Sequence, residues 1–170
     1  AKSRPFAIVH SMLTRVQIHS PEVRRLARQL PNLHSAIYAG LGLLLPDELN
    51  RSDSLVSKRP NGPDLFLNVL ERHDYTSYLQ LTHVLGNGEV QNPNAFVRVY
   101  HDAKLAEATA FSPEQGIQRF AGPDLPLHGQ VVRSWRLNRA LVKWIDYLLE
   151  QGHGAQSFEA SDLAPEFLVL

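Results

Sequence analysis

The chain contains no cysteine, and that one absence removes disulfide frameworks, thiolate nucleophiles, iron–sulfur clusters and cysteine-ligated zinc together. A reducing cytoplasm is compatible with it. Net charge is missing too: 17 Lys and Arg face 17 Asp and Glu, so no global field draws in nucleic acid or an anionic membrane surface. No apolar run approaches the roughly 20 residues of a membrane span. The nearest secretory-like core, "FAIVH" at 6–10, is short and ends in histidine. The expectation is a soluble, unexported, cytoplasmic protein without a membrane partner.

What is present suits one domain over residues 1–170: 44% of the residues are hydrophobic and 20% charged, enough for a core of its own. Charge is uneven locally. Residues 1–30 hold Lys2, Arg4, Arg15, Arg24, Arg25 and Arg28 against Glu22, whereas 155–170 hold Glu159, Asp162 and Glu166 with no cation. Either the two ends attract each other, the basic end meets an anion, or both are solvated surface.

Hydrophobic periodicity organises the rest. "SPEVRRLARQLP" at 20–31 reads as a short helix capped by Ser20, with Val23, Leu26, Ala27 and Leu30 on one face and Pro31 as its stop. A second helix restarts at Asn32, carrying Leu33, Ile37, Leu41, Leu44 and Leu45 in register to Pro46. Gly40 and Gly42 either weaken it or let another element pack close. Residues 46–64 read as a loop. "DLFLNVLE", "YTSYLQLTHVL", "AFVRVYH" and "KLAEATAF" alternate with period two, joined by "RHD", "GNGEVQNPN" and a turn at His101–Lys104. "SPEQGIQRF" at 112–120 has a capping-box start and predicts a brief helical turn. From about 131 to 151 a long helix runs to Gly152, with Leu137, Leu141, Trp144, Ile145 and Leu148 on one face. The fold class expected is α+β: an antiparallel meander of about four strands packed by N-terminal helices and a long C-terminal helix.

"LLPD", "LERHDYTSYL", "VRVYHDAKLAE", "RF", "LH" and "LNRALVKWIDYLLEQGH" occur in an order that resembles the YqiB-like bacterial family, over residues 34–153. The resemblance implies a core at 34–153, an N-terminal helical extension at 1–33 and a C-terminal tail at 154–170. It carries no agreed activity, although a dehydrogenase label attaches to some members. That label fails physically. A dinucleotide fold needs a glycine-rich strand-to-helix turn for the pyrophosphate, and both "GLGLLL" and "GNGEVQ" lack the third glycine. No cofactor is expected.

Three surfaces carry chemistry. A histidine–carboxylate site would draw on His101 and Asp102 with His73 from the neighbouring connection and His128 before the last helix, giving a general base or a metal-assisted hydrolase. Against it, adjacent strand residues point to opposite faces, Asp commonly serves turns, and no HExxH-like spacing assigns metal ligands. Members of the resembled family carry acidic and amide residues after the histidine matching His128, where this chain reads "LHGQVVRSWRLN". Glu71 and Glu107 read as cross-strand partners of Arg98, Arg72 or Lys104. The second surface is Arg133, Arg136 and Arg139, one turn apart near the positive end of the last helix, where a phosphate would relieve their repulsion. Lys143, Asp146 and Glu150 offer the plainer reading of a solvated face. Trp135 nearby suits stacking or a core contact with the N-terminal helices. The third is a sheet face with Phe66, Tyr78, Phe96, Arg98 and Tyr100, which serves RNA or a second core beneath the N-terminal helices; neutral charge favours packing. The expectation is a non-catalytic binding or regulatory module for a phosphorylated or other anionic small molecule or a protein partner, with the His/Asp hydrolase as alternative.

Overall fold

The computed structural model describes residues 20–84, 90–112 and 127–162. Two 24-residue helices, α1 (Pro21–Leu44) and α2 (Leu127–Glu150), flank five strands in the chain, β1 (Ser54–Ser57), β2 (Asp64–Arg72), β3 (Thr76–Val84), β4 (Val90–Tyr100) and β5 (Leu105–Ser112), and a sixth, β6 (Phe158–Ala160), follows α2. They form one sheet in the order β5-β4-β3-β2-β1-β6 with every pair antiparallel.

The four-strand meander is β2 to β5. Two further strands correct the expectation. β1 lies inside the stretch read as loop, and β6 arises from the segment read as a tail. Both are too short for an alternation signal, and pairing decides them: Leu55 opposes Leu67 on one side and Ala160 on the other. β4 also begins earlier than its apolar run, at Val90. Pro93 fits there because the register breaks between the Thr82–Asn94 and His83–Gln91 pairs, where no ladder N–H is required of it. The helical turn predicted at 112–120 lies outside the described residues apart from Ser112, which closes β5.

α1 is one helix rather than two. Ser20 Oγ accepts the Val23 N–H at 3.5 Å, so the start is as read, but Pro31 does not stop it. An interior proline costs about 3 kcal/mol. Burial on both sides of the break offsets this, with Val23 and Leu26 before it and Ile37, Leu41 and Leu44 after it. Pro31 and Ala27, whose carbonyl loses its partner, are both exposed, so water can satisfy that carbonyl.

Both helices lie on the same sheet face. Ile37, Leu41 and Leu44 of α1 and Leu141, Trp144, Ile145 and Leu148 of α2 form one cluster with Leu65, Leu67, Val69, Leu79, Leu81, Val97 and Val99. Ala106 and Ala108 add no bulk on β5, which touches both helices. At Gly40 the helices come so close that an added Cβ would stand 2.7 Å from Ile145 Cγ2, whereas at Gly42 it would meet nothing within 4 Å. Only Gly40 therefore serves close packing.

Phe66, Tyr78, Phe96, Arg98 and Tyr100 do share the opposite face, by the register of β2, β3 and β4. Neither α1 nor α2 covers them, which corrects the expected second core under the N-terminal helices. Phe66 and Phe96 are buried and Arg98 sits 5.5 Å over the Tyr78 ring, so the two phenylalanines present no open stacking platform.

Asn138 is a contact the apolar reading of α2 missed. Fully buried at 0% exposure, it accepts the Ala108 N–H of edge strand β5 at 2.8 Å and donates to the Ser134 carbonyl at 2.8 Å. Asn138→Leu keeps the volume and removes the acceptor, leaving a buried N–H unsatisfied at a cost of about 1–3 kcal/mol. A lowered urea midpoint with unchanged m-value is expected; an unchanged midpoint would show that the bond contributes nothing.

Candidate functional site

Two hairpin turns meet at one end of the sheet. β2 and β3 turn through His73–Thr76, closed by the His73 N–H donating to the Thr76 carbonyl at 2.8 Å. β4 and β5 turn through 101–104, where Lys104 takes φ +53°. The His101 N–H donates to the Tyr75 carbonyl at 2.8 Å, pinning the second turn to the first.

This bond carries the His101 ring to Ser77, whose Oγ lies 2.8 Å from Nε2. Ser77 has the helix-facing parity of Leu79 and Leu81 and is buried. Its register partner Arg72 donates through Nη1 to Ser77 Oγ at 3.2 Å and to the His73 carbonyl at 2.9 Å. A guanidinium only donates, so Ser77 accepts from Arg72, and its second lone pair and its own proton let it meet His101 Nε2 in either imidazole tautomer. Burial holds the His101 pKa below its ordinary value, the Arg72 charge lowers it further, and Asp102 opposes both.

The three groups end a cavity of about 230 Å³ whose walls include Tyr38, Leu41, Leu45, Leu49, Leu79 and Val99, with Asp47 also in the lining. It lies between the last turns of α1, the connection after it, and the ends of β2, β3 and β4. The arrangement is amphipathic: donors at one end, hydrocarbon around the rest. It suits a small molecule with an anionic or strongly accepting group on an apolar body. The Ser77–His101 contact also has the distance of a nucleophile and its base.

The other residues read as a histidine–carboxylate site do not join it. Asp102 is exposed in the turn between β4 and β5. His73 is exposed with Nε2 3.5 Å from Glu71 Oε2. His128 sits in the first turn of α2 with Nδ1 buried and unbonded. Among the described residues no three His, Asp or Glu side chains are grouped to hold a metal ion. Glu107 accepts the Tyr100 hydroxyl at 2.7 Å and faces Arg98 in register, and Glu71 meets His73; both are partners within the sheet rather than lining groups.

The arginine stripe of α2 is partly engaged. Arg139 lies 4.9 Å over the Trp135 ring, Trp135 Nε1 donates to Gln29 of α1 at 2.8 Å, and Arg133 has a partner of its own. Arg136 is exposed. At the other end of the chain Glu159 pairs with Lys58 at 3.2 Å rather than with the basic N-terminal residues among those described.

Sequence reading missed Arg72 and Ser77, although a signal was there. In "RHDYTS" a four-residue turn makes the flanking Arg and Ser register partners, but Arg72 was read only as a cross-strand partner for a glutamate.

Among the described residues no helix is long and apolar enough to cross a membrane. Residues 40–154 match a family described as a protein of unknown function (DUF1249), more than half of the chain and all of the cavity lining but Tyr38. No curated protein and no solved structure matches.

Proposed function

The chain belongs to the DUF1249 family of unknown function, so its own residues must carry the reading, and we propose that it is a non-catalytic binding module for a small anion with an apolar body. The resemblance to the YqiB-like family spans nearly the same residues and adds no mechanism. The observation carrying the proposal is the cavity in which Arg72, Ser77 and His101 form the polar end of a hydrocarbon-lined space. Arg72 supplies the charge, and Ser77 and His101 orient it. The anion reading made for Arg133, Arg136 and Arg139 moves to this cavity because two members of the stripe are engaged, Arg139 over Trp135 and Arg133 with a partner of its own.

Hexanoate is a suitable probe. At a hundred times its dissociation constant a ligand adds about 2.7 kcal/mol, several degrees of thermal midpoint for a chain of this size. The wild-type protein is expected to shift with hexanoate and not with hexanol, and Arg72→Gln is expected to lose the shift. An equal shift with hexanol, or one surviving in Arg72→Gln, would remove the anion from the proposal.

The 2.8 Å Ser77–His101 contact favours a second reading, histidine-assisted hydrolysis of a small ester in the same cavity. Ser77→Ala separates the two. It abolishes turnover of a chromogenic short-chain ester if Ser77 is a nucleophile, and only weakens hexanoate binding if the site merely binds. Absence of wild-type turnover above that of Ser77→Ala would end the hydrolytic reading.

A further inference from the structure

At the opposite end of β2 and β3 from His101 lies a second cavity, about 160 Å³, lined by Arg59, His83, Tyr147, Glu150 and His153 with the 60–63 connection. Its histidines are among the most deeply placed polar groups in the protein: His83 is 6% and His153 5% exposed. Local structure puts them there. α2 ends in a Schellman motif, with the Gly152 N–H on the Leu149 carbonyl at 3.0 Å and the His153 N–H on the Leu148 carbonyl at 3.1 Å, and Gly152 takes the φ of +90° that the motif reserves for glycine. The turn delivers His153 inward, to Ser57 of β1. His83 ends the helix-facing row of β3, its ring 5.5 Å from that of Trp144 and edge-on to it.

Hydroxyl bookkeeping assigns the proton of His153. Ser157 Oγ accepts the Gly154 N–H at 2.9 Å and donates its single proton to the Gly154 carbonyl at 2.8 Å. Ser57 Oγ, 2.6 Å away, must then donate to Ser157, and it accepts from His153 Nδ1 at 2.7 Å. Nδ1 therefore carries the proton and Nε2 is left as a bare acceptor without a partner among the described residues. The His83 ring makes no hydrogen bond to any described residue, and it is more than nine-tenths buried against the cavity. Arg59 donates through Nη2 to the Gly152 carbonyl, while its Nε is buried and unbonded. Among the described residues, His153 Nε2, the His83 ring and Arg59 Nε thus stand without hydrogen-bond partners in one small space.

We propose that this cavity is a second ligand site, specific for a small oxyanion such as a sulfate, phosphate or phosphate-ester group, and that binding takes up a proton on its histidines. The guanidinium supplies the standing charge. The proton is required by geometry: with Nδ1 committed to Ser57, His153 can donate to an oxyanion only once Nε2 is protonated. Burial, the neighbouring histidine and Arg59 disfavour that charge in the empty cavity, which agrees with the lowered pKa values of both histidines. Glu150 on the rim and Asp64, which raises His153, act the other way, and Tyr147 is the remaining ionisable wall group. A metal cation fits less well, since Arg59 stands in the same wall and no third histidine or carboxylate completes a ligand set among the described residues.

Sulfate is the probe of choice because it remains a dianion between pH 6.0 and 7.5, so any pH dependence belongs to the protein. With chloride at matched ionic strength as control, calorimetric titration of the full chain is expected to show saturable sulfate binding that is about tenfold tighter at pH 6.0 than at pH 7.5, one unit of histidine pKa shift being a tenfold effect. Proton uptake should appear as a heat that depends on the buffer's ionisation enthalpy. Arg59→Gln should abolish binding, Arg59→Lys should retain part of it, and Arg72→Gln should leave it unchanged, with circular dichroism confirming that each variant is folded. No saturable binding, binding indifferent to pH, binding that survives Arg59→Gln, or a saturable response to Zn²⁺ in place of sulfate would each overturn the site. Loss in Arg72→Gln with retention in Arg59→Gln would place the anion in the first cavity and overturn it equally.

Discussion

Gly40→Leu is expected to be the most damaging single substitution on α1. A Cβ at this position already stands 2.7 Å from Ile145 Cγ2, closer than two carbons approach without displacement, and leucine adds three more carbons along the same path. Ile145 cannot turn aside, since it is β-branched, 1% exposed and packed among Leu141, Trp144 and Leu148. The helices must separate, opening the cluster they share with the sheet. Overpacking of this kind costs about 3 kcal/mol or more, roughly 6–12 °C of thermal midpoint for a chain of this size. Gly42→Ala is the paired control. With nothing within 4 Å of the new methyl, helix propensity should act alone and stabilise by about 0.5–1 kcal/mol. If both substitutions shifted the midpoint in the same direction, the close approach at Gly40 would not be what holds α1 to α2.

Acid is expected to begin destabilising the protein above the range in which ordinary carboxylates titrate. His83 is pushed down to about 4, mainly by burial and secondarily by His153. His34, His101 and His153 are lowered in the same direction, each with burial as the leading cause. The unfolded chain recovers the ordinary value near 6.5. Between the two values the unfolded state therefore binds more protons than the folded one, and stability falls as pH falls. The contribution is complete above about pH 6.5 and lost as pH drops through the folded values. His83 contributes most of this, on the order of 2 kcal/mol after solvent screening. The urea midpoint in chloride buffers should decline steadily from pH 7 to pH 5, and His83→Phe, apolar and of similar size, should flatten part of that decline. A midpoint independent of pH across this interval would mean that the imidazoles bind protons equally in the folded and unfolded chain.

The two effects share an origin in how the helices seat on the sheet, and they bear on function. The sulfate site and the acid sensitivity use the same histidines, so sulfate should protect most where the protein is weakest. The Arg72 cavity depends on the last turns of α1, so Gly40→Leu should also weaken hexanoate binding while leaving Arg72, Ser77 and His101 chemically intact.

The α+β class, the four-strand meander, the capped start of α1, the long α2 and its stop at Gly152 were all legible in the residues. Each rests on a local rule: period two along a strand, period 3.6 along a helix, a capping serine, a glycine able to take positive φ. That Phe66, Tyr78, Phe96, Arg98 and Tyr100 share a face followed from parity alone. Short strands β1 and β6 did not follow, because four and three residues carry no period and exist only through partners far away in the chain. Pro31 misled for the converse reason. Its local cost is real, and burial of five apolar side chains, two before it and three after it, outweighs that cost, a sum available only once α2 and the sheet are in place. The choice between Gly40 and Gly42, and the side of the sheet on which α1 lies, belong to the same class. So do the sites. His101 stood out in the sequence as a residue at a break in the pattern, but its partners Ser77 and Arg72 come from hairpin register, and His83 and His153, 70 residues apart in sequence, meet only because β3 and the end of α2 finish at the same edge of the core. What the residues determine by themselves is what each segment can be; which groups face one another, and so what they can bind, is decided by long-range packing, because burial and partnership are properties of pairs.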